Sequence, residues 1–503
     1  MKVLQHRKRK SSVLRLRTEH RRNHGPIHLV HSIGDKESWN MTTAQIYSAQ
    51  EIIDSASVSK VQRRAMAVCV LLAIADGFDA LIIGFVIPSL AKDWGMSVGA
   101  LTPVTLTGLI GTILGAMLIA PIGDRLGRRK VILLCVCVFA IFTMAAALSD
   151  GPLTLGVLRF IAGLGLGAVP ATMMTYVSEF SPARIRTTMI TVLGTGLATG
   201  GFLGGFLASW IIPGFGWQGI FFVGGVLPLV ILPFAFAWLA ESPQWEVARG
   251  EDARAARLLA KLYPHLKVPL SARFARLPRE ATRFSYRDFQ RTGRLKPTAL
   301  IWTVYFANFL VIFFAFTWLP SVLSTAGLSG RVSLLATSAF TLGGMVGGLL
   351  LGTLIDRLGH RFTILVIAMT VSPVAVVVTA ASAGVSLPIL FTSLFILGFT
   401  VSGASTCMSA VTASVYPVQM RSTGMGWAFG FGRIGSLVGP AIGGALLVLA
   451  FSPKTIFMST LVPIILALLA VLALAAVLKK HPVPVEEQIV VSEQAPLKVD
   501  QAD

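Results

Sequence analysis

Acidic side chains are scarce in this chain of 503 residues: 23 Asp and Glu stand against 43 Lys and Arg, charged residues make up 13% and hydrophobic ones 54%. A soluble domain carries roughly a quarter charged residues, so the usual water-facing surface is missing and the chain reads as a membrane protein whose core is its own bundle. Cysteine is nearly absent. Cys69, Cys135, Cys137 and Cys407 all fall inside apolar runs, which excludes a disulfide framework or zinc spacing and leaves them as packing residues. No Gly-Lys-Ser/Thr of a phosphate-binding loop occurs, which removes ATP hydrolysis as a power source. No loop groups a nucleophile, a base and an orienting acid, so no catalytic residue, metal site or cofactor is assigned and an enzyme is not expected. The net charge of +20 raises nucleic acid as a partner, but its placement along the chain fits membrane orientation instead.

What the chain has in quantity is long apolar runs, at about 65–90, 100–122, 131–149, 152–178, 187–211, 217–240, 298–323, 333–355, 362–382, 387–413, 423–449 and 454–478. Each is long enough to cross a bilayer as a helix, so the expected fold is all-α and polytopic, with twelve transmembrane helices. The loops alternate in charge. Arg63, Arg64, Arg125, Arg128, Arg129, Lys130, Arg184, Arg186, Arg357, Arg361, Arg421, Lys479 and Lys480 lie on one side, and Lys92, Arg331 and Lys454 on the other. The positive-inside rule then places both termini in the cytoplasm.

Residues 1–60 are expected as a basic, disordered tail; the first forty carry ten Lys/Arg, three Asp/Glu and five of the eight histidines. No apolar core follows Met1, so no secretory signal is expected, and translation starting at Met41 is favoured over a lipid-touching basic segment. Six helices fill 61–240 and six fill 298–480, with a C-terminal tail over 481–503. The 241–297 connection has thirteen Lys/Arg against six Asp/Glu. Helical spacing from about Glu246 to Tyr263, with Arg and Lys on its polar face, predicts a surface helix at the headgroups; a solvated linker is the alternative.

Two carboxylates, Asp76 and Asp79, sit in the middle of the first apolar run. An ionised acid at that depth costs about 2.5–3.5 kcal/mol on insertion scales, so a role is expected. Spacing of three puts both on adjacent edges of one helix face, where a proton can be taken up and released. Asp79, which follows the glycine and so is expected to have the freer access to the central cavity, is the favoured coupling acid. The alternative is a pair held permanently by buried arginines.

The halves repeat. Gly115 to Arg129, ending Asp124-Arg125-Leu-Gly127-Arg128-Arg129, is echoed by Gly347 to Arg361, ending Asp356-Arg357-Leu-Gly359-His360-Arg361. Phe160, Gly163, Pro182 and Arg186 recur 235 positions later as Phe395, Gly398, Pro417 and Arg421. Two parallel six-helix repeats with a site between them near the midplane are the expected architecture.

The Asp-Arg-Leu-Gly-Arg-Arg-Lys loop resembles the signature loop of the major facilitator superfamily, over residues 60–480. More narrowly, Asp76-Gly-Phe-Asp79 followed by Gly84-Phe85-Val-Ile-Pro88 resembles the first helix of its aromatic acid:proton symporters, carriers of benzoate-like and hydroxybenzoate-like anions. The resemblance assigns Asp124, Arg125 and Arg129 to conformational gating, and Glu179, Asp356, Arg357 and Arg421 fit the same set. Arg128 and Lys130 are equally well read as topogenic. The basic residues 1–40 depart from the family pattern.

Arg433 falls well inside the eleventh helix and Arg159 about two turns into the fourth, where a free guanidinium is costly, so both need an anion. The planar fork of Arg433, flanked by glycines, suits a substrate carboxylate; permanent pairing with Asp76 or Asp79 is the rival. The seventh helix carries Trp302, Tyr305, Phe306, Phe309, Phe313, Phe314 and Trp318, and Tyr305 and Asn308 are its candidate ligand contacts. The expected protein is a monomeric carrier in a bacterial inner membrane that imports a small aromatic carboxylate with protons. A sugar or drug carrier, favoured by Glu241-Ser-Pro243, and a sensor that binds without translocating remain the alternatives.

Overall fold

A backbone in hydrocarbon must satisfy its own N–H and C=O groups, and the apolar runs do so as helices. The computed structural model describes residues 46–266, 268–269, 271–275, 294–358, 360–416 and 418–480; the expected tails 1–45 and 481–503 lie outside them. Two strands, β1 (Ile46–Tyr47) and β2 (Arg273–Phe274), pair in parallel over two residues each. The helices in chain order are α1 (Ala49–Ser55), α2 (Lys60–Asp93), α3 (Thr102–Leu114), α4 (Gly123–Leu126), α5 (Arg128–Ala146), α6 (Pro152–Phe180), α7 (Ala183–Gly194) and α8 (Gly196–Trp238). The connection contributes α9 (Pro243–Ala248) and α10 (Asp252–Leu262). The second half has α11 (Leu295–Thr325), α12 (Gly330–Leu358), α13 (Arg361–Ser382), α14 (Leu387–Val415), α15 (Val418–Val448), α16 (Pro453–Ser459) and α17 (Leu461–Lys480).

Among the described residues, eleven helical stretches are long and apolar enough to cross a membrane, and one of them, 183–238, is 56 residues long. Straight, it would reach about 84 Å, far beyond a bilayer core. Gly216 breaks it with φ 70°. Gly204 and Gly224 both lie against the Phe78 ring although a straight helix would separate them by about 30 Å, so the chain doubles back at the break. The 183–238 stretch therefore supplies the fifth and sixth spans, and the twelve-helix fold is complete.

The sequence repeat reappears as packing. An added Cβ on Gly111 would collide with the carbonyl oxygen of Phe160, and one on Gly343 with that of Phe395. The second and fourth spans thus cross as the eighth and tenth do, on matched glycine–phenylalanine pairs.

Residues 46–55, inside the expected disordered tail, are folded. Ser48 caps α1, Ile53 is fully buried, and Asp54 Oδ1 accepts the Ala183 N–H at 2.7 Å and pairs with Arg186 at 3.4 Å. The apolar positions of α1 are too few to register as a run, and its partners lie 130 residues away. The connection also differs from one surface helix: Gly250, at φ 82°, separates α9 from α10. Ala255, Ala256, Leu259 and Leu262 of α10 are buried within the protein, so its apolar face meets the bundle rather than lipid.

The close approaches between the two halves fall at the end of the bundle opposite the connection. Gly84 lies against the Phe316 carbonyl, Gly205 against Ser338, Gly444 against Thr102 and Gly99 against Val448. Arg331 adds a cation–π contact, 4.4 Å from the Trp210 ring centroid.

Candidate functional site

Gly77 explains why a glycine stands between the two acids. A Cβ there would meet the backbone of Gly196 and Leu197, and Gly200 packs against Ile74 and Phe78 in return. The first and fifth spans cross on these small residues, which fixes the rotation of α2 and with it the directions of Asp76 and Asp79.

The two carboxylates meet different fates. Asp79 is fully buried and paired with Arg159, whose Nη1 donates to Oδ1 at 3.1 Å and Oδ2 at 3.2 Å. Arg159 Nη1 also reaches Thr143 Oγ1 at 3.3 Å, Nη2 donates to the Asp79 carbonyl oxygen at 3.1 Å, and the Phe221 ring lies 5.8 Å from the guanidinium carbon. This site is satisfied within the first half. Asp76 is 7% exposed, and its Oδ1 is buried with no hydrogen-bond partner among the described residues. Two charges act on it: Asp79, three residues on, opposes its ionisation, and Arg433, on α15 of the second half, favours it. Asp76 and Arg433 form no ion pair within 4.0 Å.

Aromatic rings line the α11–α15 contact; on α15, Phe429 lies one turn before Arg433 on the same face, while Trp427 and Phe431 lie on another. Trp302 of α11 stacks on Phe431 at 4.1 Å and 15°, and meets Trp427 at 6.0 Å. Tyr305 packs on Phe429 at 5.0 Å and Phe309 at 6.0 Å. Asn308 is buried and its Nδ2 has no partner among the described residues. Gly432 and Gly435 bring α15 against Phe309 and the Phe306 carbonyl. Trp427, Phe429 and Phe431 were not singled out in the sequence because only the seventh helix stood out as dense in aromatics.

The signature loop forms a second, separate cluster at the connection end. Arg128 Nη2 bonds Glu179 Oε1 at 2.8 Å and Asp124 Oδ1 at 3.1 Å. The Arg129 N–H donates to Glu241 Oε1 at 3.2 Å, and its Nη2 to the Phe236 carbonyl at 2.9 Å. The loop carbonyls are held too: Trp245 Nε1 donates to Asp124 O at 3.0 Å and Arg249 Nη1 to Arg125 O at 2.8 Å. Gly127, at φ 104°, has Glu241 where a Cβ would stand. Arg128, read as equally well topogenic, is the cation joining Asp124 to Glu179. Arg357 is exposed, and the side chains of Asp356 and Arg421 lie outside what the structure describes.

The chain matches the profile of the Major Facilitator Superfamily over residues 69–382 and 329–499. It belongs to that superfamily. Among its relatives are a gallate transporter of Pseudomonas putida, 35% identical with 84% of this chain and 93% of the relative covered, and the 4-hydroxybenzoate transporter PcaK of Acinetobacter baylyi, 32% identical over 84% and 93%. A benzoate transport protein of Acinetobacter baylyi is 27% identical over 90% and 98%. The inward-open structure of the Escherichia coli xylose transporter XylE superposes with TM-score 0.63 at 16% identity, covering 82% of this chain and 94% of that one, which supports the fold. This superfamily member is a multi-pass membrane protein.

Proposed function

We propose that this protein is a proton-coupled importer of a small aromatic carboxylate in a bacterial inner membrane, with both termini in the cytoplasm and no enzymatic activity. The observation that carries the reading is the unpartnered Asp76 oxygen acted on by Arg433 from the other half, with Phe429 one turn from Arg433 and packed on Tyr305. The gallate, 4-hydroxybenzoate and benzoate carriers among its relatives make a hydroxylated benzoate the first substrate to try.

The coupling follows from charge. A protonated Asp76 no longer attracts Arg433, which leaves the guanidinium fork for the substrate carboxylate. Loss of the proton restores the Asp76 charge, which competes for Arg433 and drives the substrate off. Proton and substrate therefore favour each other's binding, as linkage requires of a symporter. The ring meets Tyr305, Phe309 and Phe429, and Asn308 offers an amide to a ring hydroxyl. Asp76 is favoured over Asp79 as coupling acid because Asp79 is occupied by Arg159.

The halves approach closely opposite the connection, which leaves the basic end, cytoplasmic by the positive-inside rule, as the side from which the site would be reached. The loop cluster of Asp124, Arg128, Glu179 and Glu241 supports the gating role of this end. Glu241-Ser242-Pro243 serves here as loop clasp and cap of α9, so it carries no preference for a sugar. The test is uptake of gallate, 4-hydroxybenzoate and benzoate by vesicles with and without an imposed pH gradient. Equal uptake without the gradient defeats the coupling; binding without uptake favours a sensor.

A further inference from the structure

At the connection end, away from Asp76, a cavity of about 550 Å³ opens between the start of α2, the end of α8 and α10. That size lies within the range of roughly 300–1,000 Å³ common to ligand sites. Its walls carry five cations, Arg64, Arg129, Arg254, Arg257 and Lys261, against two acids, Glu241 and Glu246. Glu241 is taken up by the N–H groups of Arg129 and Ser242, each at 3.2 Å. Glu246 is buried with its Oε2 unpartnered among the described residues, and burial pushes its carboxyl above the ordinary range.

The cations on α10 are free to serve a ligand. Arg254, Arg257 and Lys261 follow at three and four residues, so they share the exposed face while the opposite face is locked into the bundle. Arg254 makes a 3.8 Å contact with Glu251 and also acts electrostatically on Glu246, and Arg257 Nε donates to the Ala253 carbonyl. Arg64 lies 5.7 Å from the Trp238 ring centroid across the recess.

The other wall is apolar and turned outward. Phe234 and Val230 follow Trp238 down one face of α8 at spacings of four, 48% and 58% exposed. Trp238, 5.2 Å from Phe234, ends the sixth span where tryptophan marks the membrane interface. A basic recess set above an apolar strip fits a molecule with an anionic head and a hydrocarbon chain. We propose that the recess holds the phosphate headgroup of an anionic phospholipid, with an acyl chain along Trp238, Phe234 and Val230. A free phosphate shares the head chemistry but has no use for the strip.

The test is thermal unfolding of the purified full-length protein in detergent, titrated with phosphatidylglycerol, phosphatidylcholine or inorganic phosphate, with native mass spectrometry to detect retained lipid. Phosphatidylglycerol should raise the midpoint saturably and stay bound. The Arg254→Gln/Arg257→Gln/Lys261→Gln variant should need about a hundredfold more of it, since each of the three surface cations contributes about 1 kcal/mol toward anionic lipid. Arg331→Gln/Lys454→Gln, at the opposite end, should titrate as the parent does. Should the triple variant lose its fold, Arg64→Gln serves in its place, with the same direction of change. Parent-like titration of the recess variant, equal stabilisation by phosphatidylcholine, or full stabilisation by inorganic phosphate alone would each overturn the proposal.

Discussion

Arg159 holds Asp79 from two sides: one nitrogen sits 3.1 and 3.2 Å from the carboxylate oxygens while the other donates to the Asp79 carbonyl at 3.1 Å. Both side chains are buried, so neither charge has water to fall back on. Removing one partner of such a pair typically costs about 3–5 kcal/mol, because the other charge is left uncompensated. Asp79→Asn and Arg159→Gln are therefore expected to lower the thermal midpoint and the membrane level of the protein. Replacing both with apolar residues of similar volume should restore much of the stability. Single variants as stable as the parent would mean that the pair is not what holds these spans.

Arg433→Lys keeps the charge but gives up the planar fork, so the carboxylate loses one of two parallel hydrogen bonds. Affinity for the aromatic acid is expected to fall about tenfold, which corresponds to about 1.4 kcal/mol, with insertion unchanged. Asn308→Ala should weaken hydroxylated benzoates while leaving benzoate itself nearly unaffected. Equilibrium binding to purified protein measures both; an Arg433→Lys variant with parental affinity would move the anion contact elsewhere.

The loop cluster makes a steric prediction. Gly127 stands at φ 104° with Glu241 against the place a Cβ would take, so Gly127→Ala meets both backbone strain of about 1–3 kcal/mol and a clash. Arg128→Gln should uncouple Asp124 from Glu179. Both variants are expected to slow uptake at matched expression, and substrate binding should change less than transport. Parental uptake rates in both would remove the loop from the transport cycle.

Topology can be read with tags. Fusions at residue 270 and at the C-terminus should report the cytoplasm, and one at Gly214, beside the Gly216 break, the opposite side. A chain beginning at Met41 keeps β1 and α1 and should transport as the full chain does. A start beyond Ser55 should not, because Asp54 and Ile53 then no longer brace α7.

The depth of the four central charges was legible from the sequence, because an ionisable residue inside an apolar run is visible without any structure. Which charge faces which was not. Asp79 and Arg159 lie 80 positions apart, and only the rotation of α2, set where Gly77 meets Gly196, decides that Asp79 rather than Asp76 turns toward α6. The glycine that looked like access for Asp79 is consumed by that crossing. Arg128 was undervalued for a related reason: basic loop residues satisfy the topology rule on charge alone, and its ion pair with Glu179 spans 51 residues. The two span-length helices in 183–238 were separable in sequence because Pro213, Gly214 and Gly216 interrupt the apolar run.

The remaining acid gives the decisive prediction for coupling. Asp76 lacks a hydrogen-bond partner at Oδ1 and stands in the field of Arg433, so an amide in its place breaks no ion pair and leaves the fold intact. An amide also cannot exchange a proton at any accessible pH. Asp76→Asn is therefore expected to retain the parental midpoint and substrate binding, since Arg433 stays free for the carboxylate, while losing accumulation driven by an imposed pH gradient. Counterflow of labelled against unlabelled substrate should persist, because exchange needs no net proton movement. Asp79→Asn should show the opposite pattern, with stability falling before coupling can be measured. The comparison is made in vesicles at matched protein level, with gradient-driven uptake and counterflow recorded on the same preparation. If Asp76→Asn concentrates substrate as the parent does, the coupling proton is carried elsewhere and the competition between Asp76 and substrate for Arg433 is abandoned.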